Sequence, residues 1–154
     1  MLELGSVTDR RPPFKYSARA RVGFSDTDAQ GVVYYGRYMP YFDLARVEYL
    51  RHLGLLGANV GEQQFVMRAA SVEYHAPARF DDLLEVFVRT RRIGRTSVTS
   101  AFSAYRTDDD LLMCAAEQTL VLVDVEARRP VSVLESFRRP IREFEGADLE
   151  EVAP

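Results

Sequence analysis

The feature that most restricts the fold is one helical pattern followed by four strand-like segments. Between Tyr35 and Leu53, aromatic and aliphatic residues recur every three or four positions, which predicts a helix with one apolar face. Segments rich in β-branched and aromatic residues then cover residues 64–74, 83–92 and 96–106, and a fourth covers residues 111–123. Since the helix must bury its apolar face against these strands, the sequence predicts an α+β fold.

Short connections join the last three of these segments. Their sequences are IGR and TDDD, which are short enough for hairpins and predict an antiparallel meander of the strands. A further strand is expected before the helix, at residues 18–24. Pro40 is compatible with a helix only in its first turn, so we expect the helix to begin between Tyr35 and Pro40.

The length and composition indicate one globular domain. The chain has 154 residues, of which 47% are hydrophobic and 28% are charged. Residues 1–17 contain Pro12-Pro13 and lack periodicity, so we expect a flexible lead-in there. Residues 18–145 are then the folded domain and residues 146–154 a tail. Near the end of the domain, the segment ESFRRPIREFEG is interrupted by Pro140 and predicts a short helix or an irregular strand.

Charge and cysteine content exclude several classes of protein. The net charge of −3 argues against non-specific binding to nucleic acid, which needs a basic excess. The single Cys114 excludes an intrachain disulfide. The sequence shows neither a basic-then-apolar leader nor a long apolar run, so we expect a cytoplasmic protein without a membrane span.

Common catalytic signatures are missing from the sequence. It contains no G-x-S-x-G elbow, no Walker A loop and no G-x-G-x-x-G fingerprint. Its two histidines, His52 and His75, and its one cysteine lack the spacing of a zinc site, so no metal is expected. Cys114 lies in an apolar strand and is interpreted as a core residue, and His75 either lines a cleft or is an ordinary loop residue. Carboxylates remain as candidates for catalysis.

Two aspartates precede the helix, in the segment FSDTDAQGVVYY. Asp26 and Asp28 lie in a loop that leaves a strand and feeds the helix through Gly31. The N-terminus of a helix presents unsatisfied N–H groups that can stabilise an oxyanion, and a nearby carboxylate can attack a carbonyl or activate water. Because aspartate is also common in such loops as a cap or turn residue, the residues alone leave both interpretations open.

A family resemblance favours the catalytic interpretation. The run DTDAQGVVYYGRYMPYFDLARVEYLRHLGL, followed by VEYHAPARFDDLLEV and GRTS, resembles the hot-dog-fold acyl-CoA thioesterases of the 4-hydroxybenzoyl-CoA thioesterase class. The likeness covers residues 18–125 and is greatest for the branch encoded beside the bacterial Tol-Pal system. It implies a curved antiparallel sheet wrapped around one long central helix, in protomers that pair edge to edge as a dimer and often a homotetramer. It also implies hydrolysis of acyl-CoA to a carboxylic acid and CoA, with no cofactor besides the CoA of the substrate.

The resemblance assigns roles to residues of the loop and the helix start. Asp28 corresponds to the catalytic carboxylate, which acts either as nucleophile or as general base. The backbone N–H of Tyr35 corresponds to the group that polarises the thioester carbonyl. Asp26 and Gly31 would shape the loop, and Gly31 would allow a close approach of the ligand. Tyr34 and Tyr38 would line the acyl pocket, although both also suit an ordinary core.

The resemblance also implies a site for coenzyme A and marks two departures from the family. Four arginines around the IGR turn would bind the CoA phosphates, with Arg95 as the best candidate, although a solvated basic hairpin explains them equally well: Arg89, Arg91, Arg92 and Arg95. Tyr35 stands where many relatives have histidine, and Gln30 where glycine is common. The alternative is therefore a module that binds acyl-CoA or acyl-carrier protein without hydrolysis.

Overall fold

Strands make up most of the chain. The computed structural model describes residues 4–57 and 63–154. Two α-helices lie in these residues, α1 (Tyr38–His52) and α2 (Glu135–Glu145), with short 3-10 turns at Phe24–Asp26, Tyr35–Arg37 and Gly146–Asp148. The eight strands of the described ranges are β1 (Gly5–Arg11), β2 (Phe14–Arg21), β3 (Gln63–Tyr74), β4 (Leu83–Ile93), β5 (Ser97–Arg106), β6 (Leu111–Asp124), β7 (Arg129–Pro130) and β8 (Glu150–Glu151).

All eight strands belong to one sheet. Its main order is β1-β2-β4-β5-β6-β3, with β7 paired to β6 and β8 paired in parallel to β4. The antiparallel meander is confirmed for β4, β5 and β6. It is wrong for β3, which pairs with β6 instead of β4. β2 and β5 occupy the two sides of β4, so β3 cannot pair with it and lies instead at the outer side of β6. The connection after Tyr74 therefore crosses from β3 at the edge of the sheet to β4.

Helix α1 packs its aromatic face onto the sheet, as the sequence predicts. Phe42 and Ala45 are fully buried, and the Phe42 ring lies 5.0 Å from that of Phe102 on β5. The helix begins within the expected interval, because the 3-10 turn at Tyr35–Arg37 leads directly into α1 and Pro40 falls in its first turn. The predicted α+β fold is therefore confirmed.

The N-terminal segment differs from its prediction. Instead of the expected lead-in over residues 1–17, a hairpin of β1 and β2 extends the sheet, and β2 begins at Phe14, ahead of the expected residue 18. The reason is that this segment pairs with and packs against the rest of the sheet. Tyr16 pairs with Val88 of β4 and is buried, and the Arg11 guanidinium lies 3.5 Å from the centre of the Tyr105 ring. A boundary at residue 18 would divide β2.

The C-terminal segment is also integrated into the fold. The segment around Pro140 is helical, as α2, and the expected tail over residues 146–154 contains β8 on the edge of β4. Arg138 of α2 is fully buried and donates hydrogen bonds to the carbonyl oxygens of Val133 (2.9 Å), Val152 (2.8 Å) and Gly94 (2.7 Å). These contacts join α2, the C-terminal end and the β4–β5 turn.

Neither α1 nor α2, the two α-helices of the described residues, is long and apolar enough to cross a membrane.

Candidate active site

The loop before α1 is closed by hydrogen bonds around Asp28. The Asp28 N–H donates to the Val32 carbonyl (2.9 Å), and the Gly31 N–H donates to the Asp28 carbonyl (3.0 Å). The Gln30 N–H donates to Asp28 Oδ1 (2.8 Å), which fixes the direction of the carboxylate. Among the described residues, no donor contacts Asp28 Oδ2. Half of this half-buried carboxylate is thus available to a substrate or water.

Gly31 permits the turn that follows. Its φ of +79° lies in the left-handed region, which favours glycine. A Cβ atom at this position would meet nothing within 4 Å, so the backbone conformation, and not crowding, calls for glycine. The predicted close approach of a ligand to Gly31 stays a prediction.

Asp26 has its own set of partners, which differ from those of Asp28. Its Oδ2 accepts hydrogen bonds from the Gly23 N–H (2.9 Å) and the Tyr41 hydroxyl (2.7 Å), and its Oδ1 lies 3.8 Å from Nε of Arg37. Burial and the Asp26 carboxylate raise the pKa of the Tyr41 hydroxyl, which keeps it protonated as a donor. Because the Asp26 carbonyl also accepts from the Tyr34 N–H (2.9 Å), this residue connects the loop to the helix start.

Tyr35 opens the 3-10 turn that leads into α1. As the first residue of the turn, it has an N–H group without an acceptor inside the helix. Its carbonyl accepts a hydrogen bond from the Tyr74 hydroxyl (2.9 Å), which orients this peptide. The rings of Tyr34 and Tyr35 lie 4.3 Å apart, and their mutual hydrogen bond raises the pKa of Tyr34. Both side chains remain exposed.

A pocket of about 320 Å³ brings several of the predicted residues together. Asp28, Tyr35 and Tyr38 line it, together with residues from the loop, the end of β3 and the connection after it: Gln30, Val32, Val33, Tyr74, His75, Ala76 and Pro77. Tyr34, Asp26 and Gly31 are not among the lining residues. The pocket therefore presents a carboxylate and a helix N-terminus to a largely apolar space, which suits an acyl group attached to a reactive carbonyl.

Tyr38 forms the inner wall of this pocket. Its hydroxyl accepts a hydrogen bond from the Ala78 N–H (3.4 Å), and its ring packs edge-on against that of Tyr74 at 5.8 Å. Burial raises the pKa of Tyr38 to about 12. Burial likewise raises the pKa of Cys114 to about 12, and this thiol is fully buried, which supports its interpretation as a core residue.

Tyr74 and His75 were not predicted as site residues. From the sequence, His75 either lines a cleft or is an ordinary loop residue, and the structure places it in the pocket lining. Its backbone N–H donates to the Met113 carbonyl (2.8 Å). Its Nε2 lies 3.6 Å from Glu73 Oε2. The signal was the position of both residues at the end of a long strand, but only the pairing of β3 with β6 brings that end beside the Asp28 loop.

The four arginines lie in the second half of β4 and in the turn that follows it. β4 begins beside the Asp28 loop, where the Val22 N–H contacts Asp82, and reaches Ile93 about 33 Å away at ~3.3 Å per residue. The structure therefore does not bring these arginines to Asp28 within one protomer. Arg91 forms a bidentate pair with Glu117 (2.9 Å for both bonds), Arg92 pairs with Glu150, and Arg89 donates to the Asp148 carbonyl. The Arg95 guanidinium has no carboxylate partner in residues 4–57 and 63–154.

Within the described ranges, no group of three or more His, Cys, Asp and Glu side chains is arranged to hold a metal ion. The polar residues of the pocket lining are Asp28, Gln30, His75 and three tyrosines, Tyr35, Tyr38 and Tyr74. Such a set can polarise a carbonyl and accept a proton.

Comparison with known proteins gives a consistent result. The family model of the thioesterase superfamily matches residues 30–113, starting just after Asp28. The acyl-CoA thioester hydrolase YbgC of Escherichia coli O6:H1 is 36% identical over 122 residues, covering 76% of this chain and 88% of that protein. The acyl-CoA thioesterase YbgC of Haemophilus influenzae is 33% identical over 120 residues, covering 76% of this chain and 87% of that protein.

A solved structure shares the fold. The 1,4-dihydroxy-2-naphthoyl-CoA thioesterase from Synechocystis superposes with a TM-score of 0.78 at 20% identity, covering 84% of this chain and 96% of that one. This similarity confirms the hot-dog arrangement of a sheet packed around one central helix.

Proposed function

Because the chain belongs to the thioesterase superfamily, as its motifs predicted, we propose that it hydrolyses acyl-CoA thioesters to a free carboxylic acid and CoA at the pocket of Asp28. One observation carries the assignment to this pocket. The Asp28 carboxylate and the N–H that opens the 3-10 turn before α1, that of Tyr35, belong to residues that line the same space.

The two groups suit the two needs of thioester hydrolysis. The thioester oxygen gains negative charge as the carbonyl carbon is attacked, and the Tyr35 N–H at the positive end of α1 stabilises that charge. In the general-base route, Asp28 takes a proton from water, the hydroxide adds to the carbonyl carbon, and the C–S bond breaks. The CoA thiolate then leaves and is protonated, and the acyl group leaves as the carboxylic acid.

In the nucleophilic route, Asp28 itself adds to the carbonyl carbon. Cleavage of the C–S bond releases the CoA thiolate and leaves a mixed anhydride on Asp28, which water hydrolyses to the acid and the free carboxylate. Both routes use Asp28 Oδ2, since Oδ1 accepts the Gln30 N–H. A single turnover in ¹⁸O-labelled water distinguishes them, because only the nucleophilic route can place label in the Asp28 carboxylate.

A second copy of the chain would bring the Arg95 turn to the pocket. β3 is an edge strand, and Tyr74 at one of its ends lies by the pocket, whereas Gln63 at the other end lies by the β4–β5 turn. Antiparallel pairing of β3 with β3 of a partner subunit places the Tyr74 end of one strand beside the Gln63 end of the other. The guanidinium of Arg95 of the partner subunit then lies about three strand spacings, ~14 Å, from the edge. This distance suits the phosphates of an extended CoA whose thioester lies in the pocket.

Replacement of Asp28 by Asn tests the catalytic assignment. Asn keeps the size and the hydrogen bond from the Gln30 N–H but can neither attack nor accept the proton. We expect kcat on a panel of aliphatic and aromatic acyl-CoAs to fall by a factor on the order of 10² to 10⁴, the usual contribution of a general base. Release of free thiol measures the rate.

Asp108→Asn is the matched control, since Asp108 is exposed in the turn between β5 and β6. It should retain wild-type turnover. Full turnover in a folded Asp28→Asn variant would rule out the assignment of Asp28. If wild-type protein binds CoA esters in a titration but hydrolyses none of the panel, the chain is a binding module. The presence of Tyr35 where many relatives have histidine would then explain the missing hydrolysis.

A further inference from the structure

We propose that the contact between Arg46 and Gln118, here called the polar partition, ends the acyl-binding space and sets the longest acyl chain that the enzyme accepts. The inference rests on the proposed function and adds a substrate preference to it. Neither residue lines the pocket of Asp28. Arg46 lies on α1 and Gln118 on β6, so the partition bridges the helix and the sheet.

An apolar strip leads from the pocket to this partition. Tyr74 at the pocket pairs with Cys114, and the next pairs on the same face of the sheet are Val72 with Ala116 and then Ala70 with Gln118. Val72 and Ala116 pack against the core and remain only partly buried. An acyl chain held at the carbonyl by Asp28 and the Tyr35 N–H can follow this strip between α1 and β3.

The polar partition crosses the strip. Gln118 is 1% exposed, its side-chain oxygen accepts a hydrogen bond from the Arg46 guanidinium, and its amide contacts the Met39 sulfur at 3.4 Å. The same guanidinium donates to Asp43 Oδ1 at 2.6 Å. An alkyl chain that crossed the partition would separate these groups, and a buried polar group left without its partner costs about 1–3 kcal/mol.

A second apolar space lies beyond the partition. It has a volume of about 240 Å³, Arg46 forms part of its wall, and most of the other lining residues are apolar, among them Leu50, Phe65, Leu120, Phe137 and Ile141. From Cys114 to Gln118 the strip is about 13 Å long at ~3.3 Å per residue. Short and medium acyl chains therefore end before the partition, and long ones require the space behind it.

Variants of Gln118 test the proposal with butanoyl-, hexanoyl-, octanoyl-, dodecanoyl- and hexadecanoyl-CoA. We expect kcat/KM of the wild type to fall between the medium and the long chains. Gln118→Ala should raise the ratio of kcat/KM for dodecanoyl-CoA to that for hexanoyl-CoA by about tenfold or more, since even one methylene in an apolar pocket changes kcat/KM by ~10-fold. Gln118→Met keeps the volume, loses the amide, and should shift the ratio in the same direction by less.

Thr119→Ala is the control, because the Thr119 side chain points to the other face of the sheet, where its hydroxyl lies 3.0 Å from that of Thr99. Its chain-length profile should match the wild type. An unchanged ratio in Gln118→Met, or in folded Gln118→Ala, overturns the partition while leaving the hydrolase intact. A wild type that hydrolyses none of these esters would overturn the proposed function itself, and the partition with it.

Discussion

Glu145 at the end of α2 is a carboxylate held almost entirely inside the protein. Its Oε2 accepts hydrogen bonds from the Tyr49 hydroxyl (2.6 Å) and the Thr90 N–H (3.0 Å). Its Oε1 has no donor within the described residues, and Nζ of Lys15 lies 4.0 Å from it. Burial raises the pKa of Glu145, and the hydrogen bonds and the charges of Lys15 and Arg89 offset part of that effect.

The raised pKa predicts a pH dependence of stability. A carboxyl group with a higher pKa in the folded state stabilises the fold fully below its unfolded pKa, and this contribution is lost as the pH rises through the folded pKa. Glu145→Gln keeps an acceptor for Tyr49 and does not titrate. We expect the free energy of unfolding of Glu145→Gln, relative to wild type, to increase from acidic to neutral pH, as measured by urea denaturation at each pH.

Glu143→Gln serves as its control, because this side chain on the same helix is 67% exposed. It should change the free energy of unfolding by less than about 0.5 kcal/mol. A difference between Glu145→Gln and wild type that stays constant over the pH range would contradict the expected role of Glu145.

Single residues also show what the sequence could predict of the site. Asp28, the Tyr35 amide and Tyr38 were candidates from the family resemblance, and they line one pocket because they lie on one short loop and the start of its helix. The sequence did not predict the positions of Tyr74 and His75 in the pocket lining or of Gln118 beside Arg46. Their significance depends on which strands are neighbours, and the pairing of β3 with β6 joins segments far apart in the chain.

At the scale of elements, β3 is a long strand with one unpaired side. It has 12 residues, pairs only with β6 among the described strands, and exposes the apolar residues Val66 and Met67. An exposed, apolar edge strand is a template for pairing with another chain. This edge is the surface at which we expect two protomers to associate.

Lysines on this edge should separate the protomers. Val66→Lys combined with Met67→Lys places charge on both faces of β3, which disfavours strand pairing. We expect the variant to sediment as a monomer and, if Arg95 of the partner subunit binds CoA, to show a raised KM for acyl-CoA. Analytical ultracentrifugation and the thiol-release assay measure the two effects.

The opposite edge provides the comparison. Leu4→Lys combined with Val7→Lys modifies two exposed apolar residues at β1, and the assembly state should not change. If the β3 variant remains a dimer, or the β1 variant dissociates, association does not use β3.

The elements themselves were predictable where their pattern is local. The segments predicted at 83–92 and 96–106 are β4 and β5, and α1 begins where Pro40 requires. β1 was missed because its residues are charged and lack alternation, and the strand is held by pairing with β2 and by stacking of Arg10 and Arg11 on aromatic rings. Such support from distant residues leaves no trace in the local pattern.

At the scale of the whole molecule, Arg138 joins α2 to two parts of the sheet, the β4–β5 turn and the C-terminal end. Its guanidinium bonds the carbonyl groups of Gly94 and Val152 and pairs with Glu151 at 3.3 Å. The β4–β5 turn, α2 and the C-terminal end are thus held at one buried point. The sequence placed this arginine in a terminal segment and gave no indication of that role.

Replacement of Arg138 by Met should destabilise the protein. Met fills much of the volume but leaves several buried carbonyl groups without donors, so we expect a loss of roughly 3 kcal/mol in the free energy of unfolding. Urea denaturation followed by circular dichroism measures it. Arg139→Met, in which the replaced side chain is 73% exposed, should cost less than about 0.5 kcal/mol. Equal stabilities of the two variants would contradict this role of Arg138.

The two edges of the sheet have an unequal ability to recruit neighbours. β1 ends in Asp9, Arg10 and Arg11 and loses regular register with β2 between Val7 and Arg11, and charge and irregularity both discourage pairing with another strand. A protomer that offers β3 but not β1 can add one neighbour by edge pairing and no more. If β3 pairs with itself, that pairing is two-fold and closed, so it would end the sheet at a dimer and would not extend into fibres.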